Sequence, residues 1–189
     1  MSRSRVCLAL YVILALASRA RADLTVVGTL DGSQEVPQNF VTPATGTFSG
    51  DLQLSGSTAT LTFTVTYSGL IGGPVEAANF NDAPAGSVGP DVRDYDPADF
   101  TSPAGTFMGT WTSSDAQPLT PFLISELFAG NIYFEIDTLE FPGFPGEIRG
   151  QLSVVPEPST FWPALLLGTL GVALACRRAD RSCQTAGVL

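Results

Sequence analysis

Between Thr58 and Tyr67, apolar and polar residues alternate one by one. Ala59, Leu61, Phe63, Val65 and Tyr67 form one set; Thr60, Thr62, Thr64 and Thr66 form the other. A period of two sends the sets to opposite faces of a strand, which predicts a half-buried antiparallel strand with β-branched threonines on its wet face. Thr45 to Leu54 follows the same rule, with Phe48, Leu52 and Leu54 inward. Leu54-Ser-Gly-Ser-Thr58 between them is a turn, so the two segments make a hairpin. Further strands are predicted over Leu24 to Leu30, Val75 to Phe80, Gly105 to Trp111, Asn131 to Thr138 and Glu147 to Val154. One segment carries helix signals: Thr120 as N-cap, Pro121 at the first helical position, Phe122 to Phe128, and Gly130 as the stop. About seven short strands divided by Gly, Pro and Asp predict an all-β fold, an antiparallel β-sandwich with one short helix. Asn81 to Pro103 is expected to be a long loop, and it carries Asp82, Asp91, Asp94, Asp96 and Asp99. Loops of that length in compact domains are usually functional or disordered.

The two ends break this pattern. Arg3 and Arg5 precede an apolar run from Val6 to Ala17, and Ala20-Arg21-Ala22 supplies small residues for cleavage. Charge, apolar run and small residues in that order predict a secretory signal helix over residues 1–22 and a mature chain beginning at Asp23. Near the other end, Val155-Pro156-Glu157-Pro158-Ser159 is expected to interrupt regular structure, since each proline removes a donor and fixes φ. The apolar run Phe161 to Ala175 follows, then Arg177, Arg178 and Arg181. As a helix this run would rise about 22 Å, short of a hydrocarbon core of about 30 Å, so it predicts a weak transmembrane anchor. The arginines favour the cytoplasmic side, which leaves the domain before Pro156 outside, in agreement with the signal segment.

This order of features resembles the PEP-CTERM sorting signal over Val155 to Arg181, with residues 182–189 as a tail beyond it. The resemblance implies processing at Pro156, Glu157 and Pro158 by an exosortase-type membrane peptidase, after signal peptidase has acted at the other end. It implies a protein of the cell envelope or cell surface, or a secreted one, held by its C-terminal helix only before processing.

Composition changes the picture once these ends are set aside. Seven of the nine basic residues lie in them; Arg93 and Arg149 remain, against sixteen acids, so residues 23–155 carry a net charge near −14. Such a domain repels nucleic acid. Cys7, Cys176 and Cys183 also fall in the ends, so the domain has no disulfide. The chain has no histidine, which excludes a Ser-His-Asp triad and every histidine metal site.

The central segment resembles the chordin-type CHRD domain. Leu30-Asp-Gly-Ser-Gln-Glu-Val-Pro37 is similar to its opening, and Gly146-Glu-Ile-Arg-Gly-Gln-Leu152 to its closing strand. Tyr67-Ser-Gly-Leu70, Gly109-Thr-Trp111 and Leu127-Phe-Ala-Gly-Asn-Ile-Tyr133 follow the expected order between them. The resemblance covers residues 23–154 and implies an all-β extracellular module with no enzymatic activity. It also marks a departure. Members commonly carry Ala-His-x-His and Asn-x-His-Thr segments; here Ala78-Asn79-Phe80-Asn81 and Glu135-Ile136-Asp137-Thr138 stand in their place.

Two clusters are candidate cation sites. If Thr138 pairs with Gly146, then Glu135 lies opposite Arg149 as a structural ion pair, and Asp137 lies opposite Glu147 on the same face. Asn79 and Asn81 share that parity, so Asn79, Asn81, Asp137 and Glu147 make one oxygen-rich candidate. Asp91, Asp94, Asp96 and Asp99, four carboxylates in nine residues, make the other. Oxygen donors select hard cations, and Ca²⁺ is the candidate cofactor. The expected role is a non-enzymatic structural or adhesion module that meets extracellular polysaccharide or surface proteins. One alternative is a binding module for a basic or metal-bridged partner. Another is a glycoside-active enzyme using Asp137 with Glu147.

Overall fold

The computed structural model describes residues 23–156. Residues 1–22, where a signal helix is expected, and Glu157, Pro158, the apolar run after them and Arg177, Arg178 and Arg181 lie outside the described residues. Nine strands form one antiparallel sheet: β1 (Asp23–Asp31), β2 (Thr45–Ser55), β3 (Thr58–Ser68), β4 (Val75–Asp82), β5 (Asp91–Tyr95), β6 (Ala104–Thr112), β7 (Ile132–Thr138), β8 (Ile148–Gln151) and β9 (Ser153–Pro156). Among the described residues one α-helix, α1 (Pro121–Ala129), sits between β6 and β7. Among the described residues no helix is long and apolar enough to cross a membrane.

The strand order is β5-β4-β7-β8-β1-β2-β3-β6, with β9 also pairing β1. The expected sandwich therefore gives way to one continuous sheet that rolls almost into a barrel. β1 is the reason. It pairs with β2 along its whole length, while its other edge takes β9 near its start and β8 at Asp31. The two end strands, β5 and β6, then meet through side chains. The rings of Tyr95 and Phe107 lie 5.2 Å apart, and the Tyr95 hydroxyl donates to the Thr110 carbonyl at 3.2 Å. Gln117 closes the seam further by accepting from Asp94 N–H at 2.9 Å and donating to its carboxylate at 2.7 Å. These contacts occupy the Thr110 carbonyl and the Asp94 N–H on the two edge strands.

Inside the roll, the alternation of β3 is realised residue by residue. Ala59, Leu61, Phe63, Val65 and Tyr67 are buried, and Thr62 and Thr66 are exposed. Phe63 stacks on Phe48 at 5.1 Å and meets Phe80 edge-on at 5.2 Å, with Phe134, Tyr95 and Phe107 around it. Trp111 stacks on Phe80 at 4.8 Å and donates its indole N–H to the Gln117 carbonyl at 2.8 Å. α1 forms as its signals predict: Thr120 Oγ1 accepts from Leu123 N–H at 3.2 Å, and Gly130 closes the helix at φ 75°, a left-handed value that suits glycine.

Two further expectations change. Asp91–Tyr95 is a strand, not part of a loop, paired with β4 through Asn79↔Asp94 and Ala78↔Tyr95. Tyr95 and Val92 pack on the core and hold it there. At the C-terminal end, Val155 and Pro156 stay in β9, paired with Thr25 and Leu24. Regular structure therefore runs up to the first proline of the motif, which is tolerated because, among the described strands, β9 pairs with β1 alone.

Candidate functional site

The outer face of β5, β4 and β7 carries the chemistry. Asn79 on β4 lies between Glu135 on β7 and Asp94 on β5, each its direct cross-strand neighbour. Asp137 sits two residues further along β7, opposite Ala77 and on the same face as Glu135. Cross-strand neighbours share a face, so these oxygens point the same way. Together with Glu76 and Asp91 they line a cavity of about 250 Å³, flanked by Gly143 and Phe144. The floor is deeply buried: Glu135 is 1% exposed, Asn79 5% and Asp137 6%.

Gly146 makes this floor possible. A Cβ built there would stand 2.3 Å from Asp137 Oδ1 and 2.9 Å from Glu135 Oε1, so only glycine leaves both carboxylates their place. Glu35, just after the 3₁₀ turn that follows β1, accepts from Gly146 N–H at 3.2 Å and faces Glu135. Three carboxyl groups thus crowd one buried region. Several oxygens are left without a partner: Glu35 Oε1, Glu135 Oε1, Asp137 Oδ1 and Asn79 Oδ1. Unpartnered buried polar atoms are costly and uncommon. Among the described residues no three Asp, Glu, His or Cys side chains converge as a ready metal centre; the cavity floor is two carboxylates and an amide.

The matching family model, CHRD domain, covers residues 26–152. That span is most of the chain and holds every strand that builds the cavity. The chain belongs to the CHRD family. Comparison with curated proteins finds no match, and neither does comparison with solved structures.

Within this CHRD domain the closing Gly146-Glu-Ile-Arg-Gly150 run has a physical reason at every position. Gly146 makes room for the carboxylates. Glu147 is fully buried and accepts four hydrogen bonds, from Thr42 Oγ1 at 2.8 Å, Ile71 N–H at 2.7 Å, Gly72 N–H at 3.0 Å and Thr138 Oγ1 at 2.6 Å. Ile148 joins the core. Arg149 lays its guanidinium over the Tyr133 ring, 3.6 Å from the centroid. A Cβ on Gly150 would meet the Thr29 carbonyl oxygen at 2.4 Å.

The two sequence-derived clusters redistribute. Asp91 and Asp94 from one join Asn79 and Asp137 from the other around a single cavity. Asp96 instead caps the 3₁₀ turn by accepting from Ala98 N–H at 2.9 Å, and Asp99 is exposed on that turn; neither lines the cavity. Asn81 donates to Asp91 at 2.5 Å and stands beside the cavity. Glu147 does not join Asp137. The chain bends before β8 begins, so its carboxylate turns to the Ile71–Gly72 backbone, and the carboxylate pair suggested for glycoside chemistry is not assembled.

Arg149 and Glu135 are cross-strand neighbours as the register predicts, but they make no ion pair. The guanidinium donates to the Ser87 carbonyl at 2.9 Å and to Gln151 Oε1 at 3.3 Å, because Tyr133 draws it along the strand. The ion pair among the described residues joins Arg93 and Asp115 at 3.7 Å. Sequence reasoning did not place Glu35 or Glu76 at the site. Glu35 belongs to the Leu30–Pro37 run, where its buried carboxylate is the polar anchor.

Burial raises the affinity of all three central carboxyls for protons. Asp137 is pushed up to about 8 by burial and then by the charge of Glu135. Glu135 is raised by burial and by neighbouring Glu35, with Arg149 opposing; Glu35 is raised by burial and by Asp137, with Glu135 and Arg149 opposing. A carboxyl whose folded-state pKa lies above its unfolded value stabilises the fold below the unfolded pKa, and that contribution is lost as pH rises through the folded one. In the presence of a chelator, the unfolding free energy should therefore fall between about pH 5 and 9, by about 1.4 kcal/mol per pH unit for each proton the fold retains. Denaturant unfolding across that range checks it; a curve that rises or stays flat contradicts the crowded-carboxyl description.

Proposed function

We propose that this CHRD domain is an exported, non-enzymatic module of the cell surface or extracellular matrix, sorted through its PEP-CTERM-like tail, with a structural or adhesive role. The partition of charge carries the reading. Seven of nine basic residues lie in the two sequence segments that resemble address signals, and the domain between them keeps two against sixteen acids. An acidic, disulfide-free β domain stays soluble outside the cell and avoids nucleic acid and anionic membrane surfaces. Its partners in this role are polysaccharide or surface proteins, reached after signal peptidase and an exosortase-type enzyme have acted. The acidic cavity favours a second reading, a binding module for a basic or metal-bridged partner.

Cell fractionation with N-terminal sequencing tests the proposal. The expected product begins at Asp23 and is found in the envelope or medium. Pro156→Ala with Pro158→Ala should leave a larger, membrane-held form. Intact Met1 on cytoplasmic protein would overturn export, and identical size and fractionation of variant and parent would overturn tail processing.

A further inference from the structure

We infer that the cavity between β5, β4 and β7 is a binding site for one Ca²⁺ ion, with Asn79, Glu135 and Asp137 as its floor and Asp91 and Asp94 at its rim. The inference concerns the folded domain itself and does not depend on where the cell sends it. Its starting point is not the acidity but the orphaned oxygens. Asn79 Oδ1, Glu135 Oε1 and Asp137 Oδ1 are each buried without a hydrogen-bond partner, and all three residues line the same cavity. An amide oxygen among them matters, because it cannot take up a proton of its own as a carboxylate does. A cation satisfies all three at once.

Neither arginine of the domain does so, although the Nε of each is buried without a hydrogen-bond partner. Arg149 spends its guanidinium on Tyr133, the Ser87 carbonyl and Gln151. The other arginine between residues 23 and 155, Arg93, pairs with Asp115. The fold keeps Gly146 where any side chain would push Asp137 and Glu135 aside, so the oxygen-lined space is maintained rather than filled.

The donor set selects the ion. Oxygen from carboxylate and amide groups suits hard cations, and the domain has no histidine or cysteine to favour zinc or copper. Mg²⁺ demands near-octahedral geometry at short distances, whereas Ca²⁺ accepts six to eight oxygens at about 2.3–2.6 Å in irregular arrangements. Ligands spread over three strands, around a cavity of about 250 Å³ with space for water, fit the larger ion. The floor offers two carboxylates and one amide rather than three carboxylates, and the rim aspartates complete the charge.

Titration of the purified full chain tests the site, by calorimetry and by thermal melts in CaCl₂, MgCl₂ and NaCl at matched ionic strength. The expected result is one saturable Ca²⁺ site and a melting temperature that climbs with Ca²⁺ beyond the NaCl control. Asp137→Asn should weaken binding at least about tenfold, since it removes a charged ligand. The same variant should melt higher than the parent in chelator, because it also removes a buried charge crowded by Glu135 and with one oxygen unpartnered. A residue that merely held the fold together would not show that opposite pair of effects. Asp99→Asn, outside the cavity, should leave binding and stability as they are. Melting that follows ionic strength alone, heat spread over many weak sites, or parent-like Ca²⁺ binding by Asp137→Asn would each overturn the site.

Discussion

Phe63→Asp should leave the CHRD domain unfolded. Phe63 is 2% exposed and touches the rings of Phe48, Phe80, Tyr95, Phe107 and Phe134. Truncating a buried phenylalanine alone costs about 3–5 kcal/mol. The aspartate adds a charge that none of these rings can pair, and the whole stability of a domain is about 5–15 kcal/mol. Thr62→Lys, one residue away on the exposed face, should shift stability by only about 0.5 kcal/mol in either direction. Its cross-strand neighbour Asp51 even offers the new ammonium a partner. Circular dichroism melts of the two variants decide the matter, and equal damage from both would contradict the inward face assigned to β3.

The second large effect is expected at Glu147. Its carboxylate satisfies the N–H groups of Ile71 and Gly72 and the hydroxyls of Thr42 and Thr138, with no exposure to water. In Glu147→Ala the two hydroxyls can turn to other acceptors, but the two backbone donors cannot. Lost charge-assisted bonds and stranded donors together should cost about 3–5 kcal/mol. For a domain of this size that lowers Tm on the order of 10–20 °C. Glu140→Ala, an exposed acid nearby in the chain, is the comparison and should change little. Similar melting of both variants would show that Glu147 anchors nothing.

Much of this fold is written in local pattern. The β2–β3 hairpin follows from strict alternation on both sides of Ser55-Gly-Ser57, and α1 from Thr120, Pro121 and Gly130. The β7–β8 register is legible too, since only one pairing buries Ile136 with Ile148 while placing Glu135 beside Arg149. What pattern did not reveal is non-local. β5 reads as an acidic loop because its outer face lines a cavity with Asp91 and Asp94, and only Val92 and Tyr95 betray its inner side. Local acidity looked like solvent exposure, and the tertiary fold overrode it. Alternation puts Glu147 with Asp137 because it cannot show where a strand stops, and the chain bends just before Ile148. The rolled single sheet rests on β1 serving two sets of neighbours, which no stretch of sequence records by itself.

The two candidate clusters illustrate the same divide. Parity correctly put Asn79 and Asp137 on one face, and composition correctly flagged Asp91 and Asp94. Only the pairing Asn79↔Asp94 brings the two groups together, and only the fold brings Glu35 to Glu135.

The buried cavity is a place for a cation rather than a pocket of protonated acids. Diffraction from crystals of the protein grown with Ca²⁺ at pH 8, and again with chelator, addresses this most directly. The predicted result is an ion in the first crystal alone, within about 2.3–2.6 Å of oxygens from Asn79, Glu135 and Asp137. A cavity that holds only water in both crystals, with the same side-chain positions, would contradict it.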